Sequence, residues 1–206
     1  RELEGENNYG RINDMKTSEI YQTLEDRQNY EEVEQHGPYF CSVTYPNGIL
    51  KKGSKQPWLG SGYYFWDTRI CDAHWWGNNV YNRNGYIICH TTYDQHSPLL
   101  YDLVGNVDQF DEFIKCADLI KEKRNLSRVS FPVVLKYLKK TGNFNFSAIR
   151  VWPHPDYLNK TSVSFPDNKL FLGKAEKIQI CFFDKQLLIN PYKIVYRKNS
   201  AAEQTI

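Results

Sequence analysis

Apolar positions in this chain come in short, punctuated groups whose spacing switches between the helical and the strand period. Residues 1–16 hold few of them, are rich in Gly, Asn and charge, and are expected to be disordered. Over residues 18–35 Glu and Gln dominate, and Ile20, Tyr21 and Leu24 make a weak apolar face. That predicts a surface helix, stopped by His36-Gly37-Pro38. Tyr39 to Thr44 then predicts a strand, and Gly48 to Gly53 a short helix ended by its last glycine. Arg69 to Tyr81 predicts a helix with Ile70, Ala73 and Val80 near one face and Trp75-Trp76 beside it. After a turn at 82–85, the runs Tyr86–Cys89 and Leu99–Leu103 are expected as buried strands.

The clearest periodicity lies in Val107–Arg124, where Val107, Phe110, Phe113/Ile114, Ala117 and Ile120 form a regular stripe. Ser130 is expected to cap a further helix with Pro132 in its first turn, ending at Thr141-Gly142. Ala148–Trp152 predicts a strand, 153–168 a long loop, and 177–183 and 187–197 two strands joined around Asp184-Lys185. Roughly six or seven strands interspersed with four helices, without a repeated βα period, define an α+β class rather than a doubly wound one. The expected organisation is one domain over 17–198, preceded by the disordered segment and followed by a frayed tail, 199–206.

One stretch stands apart. In Gly60-Ser61-Gly62-Tyr63-Tyr64-Phe65-Trp66-Asp67, two glycines precede a strand-favouring aromatic run. Alternation sends Tyr64 and Trp66 to one face and Tyr63 and Phe65 to the other. A hairpin turn with core aromatics is one reading. A loop that lets a flat, charged ligand approach the backbone is the other.

Composition changes the picture modestly. Aromatics make up 15% of residues, with 15 Tyr and 5 Trp, enough to line a concave site as well as a core. A net charge of +2 calls for neither a nucleic-acid nor a membrane partner. The five cysteines are odd in number and form no CxxC, which argues against a disulfide framework or a zinc site. His74, His90, His96 and His154 have no ligand-type partners close in sequence, so no metal is expected. Neither a transmembrane segment nor a signal peptide is visible. A cytoplasmic location, or delivery into a target cell without a visible signal, is expected. The chain opens on Arg1, and its lone Met15 reads either as a native start or as an internal residue after processing.

Asn47-Gly48-Ile49-Leu50-Lys51-Lys52-Gly53, the 60–67 stretch, Ala73 in the helix after it, and the late run Ile178–Asp184 occur in a familiar order. Together they resemble the ADP-ribosyltransferase superfamily, on its diphtheria-toxin-like and poly(ADP-ribose)-polymerase-like side. The likeness covers about half the chain in short pieces, and no GxGxxG or Walker sequence competes with it. It implies split antiparallel sheets with flanking helices, and NAD⁺ as substrate. Tyr64 takes the family's ring-stacking position, with Tyr63 beside it, and Gln179 stands where a Glu is usual. Gly60 and Gly62 allow close approach, and backbone near Cys41 and Ser42, or near Gly37, would read the carboxamide. The family's first motif, His-Gly-Thr/Ser on the strand before the GIL stretch, is not clean. Either Ser42 is its last member with Phe40 in place of His, or His36-Gly37 fills it across an insertion.

The resemblance implies a mono-ADP-ribosyltransferase of the kind deployed as a toxin or defence effector. Its acceptor would be a protein or a nucleic acid, and an antitoxin or target protein would be a partner. Breaking the nicotinamide–ribose bond develops positive charge on the ribose, as in glycoside cleavage. Gln179 keeps the hydrogen bond of a Glu there and loses its charge. Glu176 lies an odd number of residues away, on the opposite strand face unless a bulge intervenes, and Asp67 is nearer in kind. Three rivals follow: a degenerate member that binds ADP-ribose, NAD⁺ or a partner without cleavage, an NAD⁺ glycohydrolase, and transfer of an RNA 2′-phosphate to NAD⁺.

Overall fold

The segment Thr17–Glu25, expected as part of a surface helix, is the central strand β1. Ile20 and Tyr21 are adjacent in sequence and both buried, which one face of a solvated helix cannot provide. A strand with both faces covered can, and its β-branched and aromatic residues suit the pleat. Of the expected helix only Tyr30–His36 remains (α1), burying Val33.

The computed structural model describes residues 16–49, 51, 57–142, 144–153, 162–164, 171–173 and 175–198. After α1 come β2 (Tyr63–Asp67), α2 (Ile70–Val80), β3 (Tyr86–Asp94), β4 (Leu100–Asp102), α3 (Val107–Arg124) and α4 (Phe131–Lys140). Then follow β5 (Ala148–Val151), β6 (Ser162–Ser164), β7 (Phe171–Gly173), β8 (Gln179–Phe182) and β9 (Leu188–Lys198). Seven strands form one sheet in the order β4-β5-β8-β2-β1-β3-β9, and β6-β7 pair separately. Only β4 and β5 run parallel; the other neighbours are antiparallel. The α+β class holds. Instead of two separate major sheets there is one, forked between β1 and β2, whose register covers only Ile20–Asp67 and Tyr21–Trp66.

Further expected elements differ, and β6 falls within 153–168, expected as a loop. Tyr39–Thr44 is not a strand; it makes an isolated bridge between Cys41 and Gly62. The helix expected from Gly48 to Gly53 lies partly outside the described residues, and Gly48 sits in a turn at φ +81°. In α3 the buried stripe is Phe113, Cys116 and Ile120, whereas Val107 and Phe110 are exposed.

Strand alternation divides the core. On one face Phe65, Ile180, Phe182, Ile20 and Tyr93 pack together. On the other, α3 and α4 cover β4, β5 and β8 through Leu59, Phe113, Leu135 and Ile149. Beside them α2 covers β1 and β3 through Ala73, Tyr21, Trp66 and Ile88. Tyr64 and Trp66 thus share one face and Phe65 takes the other, as the alternation requires.

The first face buries a charge cluster. Arg150 Nε and Nη2 each lie 2.8 Å from Asp67 Oδ2, and Nη1 lies 3.2 Å from both carboxylate oxygens of Asp102. The Tyr93 hydroxyl donates to Asp67 Oδ1 at 3.4 Å. This ties β2, β3, β4 and β5 together, and it assigns Asp67 a structural partner. Replacing Arg150 by Met leaves Asp67 buried beside no cation and is expected to cost about 3–5 kcal/mol. Arg27→Ala, which removes the exposed pair with Glu25, should change stability by no more than about 1 kcal/mol. Urea denaturation of both variants checks the contrast, and equal midpoints would contradict it.

Candidate functional site at the fork of the sheet

Where β1 and β2 part, backbone groups that would have paired need other partners. Gln22 supplies them. Its amide nitrogen donates to the carbonyls of Tyr39 and Tyr64, each at 3.2 Å. Its oxygen accepts from the Tyr39 N–H at 3.1 Å and from the Tyr192 hydroxyl at 2.7 Å. One buried amide therefore closes the fork and seats 39–42 beside the start of β2. There Cys41 and Gly62 exchange both backbone hydrogen bonds.

A cavity of about 690 Å³ opens from this fork. Trp58, Tyr64, Trp66, Trp75, Trp76 and Tyr81 supply much of its wall, with Gln22 and Gln179 among its polar groups and Arg27, Lys51 and Lys177 as its cations. Antiparallel pairing of β2 with β8 sets Trp66 opposite Gln179 and Tyr64 opposite Cys181. Tyr64 and Gln179 therefore lie one diagonal apart on the same face, both on the cavity wall. Trp58 Nε1 donates to Gln179 Oε1 at 2.6 Å, which orients the amide.

Tyr64 also holds its own loop. Its oxygen accepts from Leu59 N–H at 2.8 Å and its hydroxyl donates to Gly60 O at 2.8 Å. Burial drives this phenol well above its usual range, so it stays protonated and the latch persists at neutral pH. Burial likewise pushes the Cys181 thiol up to about 12, leaving it a neutral space-filler under the loop. Gly60 sits at φ +97°, a region that suits glycine. At Gly62 a Cβ would stand 2.5 Å from Cys181 Sγ and 2.6 Å from Phe182 O, so strand packing demands the missing side chain.

Of the residues singled out in the sequence, Tyr64, Gln179, Cys41 and Ser42 reach the cavity wall, as does Phe40. Gly60 and Gly62 shape the loop beside it. Tyr63 turns to the other face, with its ring 5.1 Å from that of Phe40. His36 is exposed at the end of α1 and is not among the lining residues. Asp67 points to the face opposite Gln179 and is held by Arg150. Gln22 and Trp58 are not among the candidates read from the sequence, where Trp66, Trp75 and Trp76 enter only as strand and helix residues. Pro57-Trp58 directly before the glycine loop was a readable signal for one of them. Gln22 had none while its segment was assigned to a helix.

Among the described residues no group of three or more His, Cys, Asp or Glu is arranged to hold a metal ion, and no helix is long and apolar enough to cross a membrane. No family model, curated protein or solved structure matches the chain.

Gln22→Leu keeps much of the volume and strips the fork of its hydrogen bonds. It is expected to destabilise the protein by at least about 1–3 kcal/mol, the cost of one buried polar group left unpaired. Amide hydrogen exchange at Cys41 and Gly62 should accelerate with it. Unchanged exchange at those two amides would show that Gln22 does not hold the fork.

Proposed function

We propose that the cavity binds NAD⁺ and that the protein is an ADP-ribosyltransferase acting on it. The observation that carries this reading is the placement of Tyr64 and Gln179 on one face of adjacent strands, on the wall of an aromatic cavity. The motif likeness in the sequence had named these two residues independently of any register. Indole and phenol faces suit a cationic nicotinamide ring, and an oriented amide oxygen suits a ribose hydroxyl. Arg27, Lys51 and Lys177 on the wall give a diphosphate cationic partners.

The first-motif position also finds a candidate. The strand preceding the GIL stretch is β1, and its buried polar side chain at the fork is Gln22. In this reading neither His36 nor Phe40 is needed: Gln179 shares the face of Tyr64, and Gln22, on the face of Ile20, meets Tyr64 at its backbone carbonyl. The bond broken is nicotinamide N1 to ribose C1′, with the bonding pair leaving on nicotinamide. A nucleophile on a protein or nucleic-acid acceptor then bonds C1′ and loses its proton to solvent.

Both carboxylates weighed as helpers leave Gln179 unassisted. Asp67 is committed to Arg150 on the opposite face, and Glu176 is not among the lining residues. This favours slow turnover, and at its limit a protein that binds ADP-ribose or NAD⁺ without cleaving it. The test is release of nicotinamide from NAD⁺. Gln179→Glu restores a charge that can face the developing cation, worth about 2–4 kcal/mol in comparable electrostatic sites, and so should speed release ~30–1000-fold. Gln179→Ala should abolish it. Binding of NAD⁺ with no release from either wild type or Gln179→Glu would leave the non-catalytic reading. Absence of binding would sink both.

A further inference from the structure

Three indoles form one wall of the cavity. Trp66 and Trp75 lie 6.2 Å apart between ring centroids, Trp66 and Trp76 5.9 Å, and Trp75 and Trp76 6.3 Å. Trp66 is buried, while Trp75 is 40% exposed. A cation already rests on that exposed ring: Lys177 Nζ stands 3.8 Å from its centroid. Both side chains line the cavity, and Lys177 is two residues before Gln179.

The backbone beneath this ammonium is pinned. Lys177 N–H donates to Asp72 Oδ2 at 2.8 Å, and the Ile178 carbonyl accepts from Asp67 N–H at 3.0 Å. Just upstream, Arg69 Nη1 donates to the Ala175 carbonyl at 3.1 Å. Lys177 itself is held at φ +60°, a region uncommon for a residue with a side chain. A strained residue fixed by its neighbours and placed in a cavity is a reason to look for a role. Among the described residues the Lys177 ammonium makes no salt bridge, and its partner is an aromatic face. A flexible four-carbon stem lets it leave that face without disturbing the backbone.

We propose that Lys177 is a specificity-determining residue: its ammonium competes with planar cations for the Trp75 face and so sets how the cavity discriminates cationic from neutral rings. The idea rests on the NAD⁺ reading only in its choice of a pyridinium-type ring as the cation of interest. A planar cation that reaches Trp75 must displace the ammonium and also meets its charge. A neutral ring of the same shape loses only the first of these. Without Lys177 the cationic ring should gain more than the neutral one.

The probes are 1-methylnicotinamide, a planar cation, and nicotinamide, its neutral counterpart. Binding is followed by NMR on the indole N–H resonances, with that of Trp75 assigned from Trp75→Phe. Lys177→Met should tighten 1-methylnicotinamide roughly five- to tenfold and nicotinamide only about two- to threefold, since removing the competing cation–π contact helps both rings and removing the like charge helps the cation alone. Lys177→Asn, which tolerates φ above zero, should give the same ratio and guards against a folding artefact of Met. Trp75→Leu combined with Lys177→Met should erase the gain. An unchanged ratio, weaker cation binding, a Trp75 resonance that stays still, or no binding of either probe would overturn the proposal. A protein that never releases nicotinamide from NAD⁺ yet shows the ratio change would lose the transferase reading and keep this one.

Discussion

The structure depends on a single amide reaching across a gap. β1 and β2 share a sheet for two residue pairs and then separate, and separation exposes backbone groups that low-dielectric surroundings penalise. Gln22 resolves the conflict because one side chain carries both donors and an acceptor. It satisfies a carbonyl on β2, both backbone groups of Tyr39, and the hydroxyl of Tyr192 on β9. The sheet can open there because Gln22 takes up backbone groups of Tyr39 and Tyr64. The cavity's location at a fork places Gln22, Tyr64, Trp66 and Gln179 on strands, where register fixes which side chains converge.

That register was partly legible in the sequence. The alternation in Tyr63–Asp67 gave the correct faces, and the apolar runs of β3, β5 and β8 were found because buried strands announce themselves by continuous hydrophobicity. β1 was misread because Glu19, Gln22 and Glu25 imitate a solvated helix. Only the pairing of nine residues of β1 with β3 shows that Ile20 and Tyr21 are both interior. Tertiary context overrode local composition there, and losing β1 hid Gln22 as well. Phe40, Cys41 and Ser42 were placed near the site for the wrong local reason. They reach it as an irregular segment wedged into the fork by the Cys41–Gly62 bridge.

The two glycines of the 60–62 loop show why a motif can be right in position and different in cause. Both were expected to admit a ligand to the backbone. Gly62 is instead forced by the approach of β8, with Cys181 and Phe182 in the space of a side chain, and Gly60 by its backbone angle. The Tyr64 hydroxyl, tied to Leu59 and Gly60, then sets the loop rigidly against its own strand. Rigidity of this kind is what a binding wall needs, because a ring that is already immobile loses little entropy when a ligand stacks on it.

Charge is the remaining constraint, and it explains how the two faces of the sheet differ. The first face concentrates carboxylates and neutralises them with Arg150. The cavity wall carries aromatic rings, the cations Arg27, Lys51 and Lys177 and the carboxylates Glu25 and Glu32; on the NAD⁺ proposal Gln179 offers the ribose a neutral amide where the chemistry wants negative charge. Aromatic faces stabilise a cation by about 0.5–2 kcal/mol each, less than a well-placed carboxylate at the reacting carbon. On the NAD⁺ proposal they act on a ring whose charge falls as the bonding pair moves onto nicotinamide, so they favour the bound dinucleotide over its transition state. Interactions stronger in the ground state than in the transition state raise affinity and do not speed the chemical step. A site built from Trp58, Tyr64, Trp75 and Gln179 is therefore stronger as a binder than as a catalyst. On the NAD⁺ proposal any rate would have to draw on the Gln179 oxygen that Trp58 holds in place.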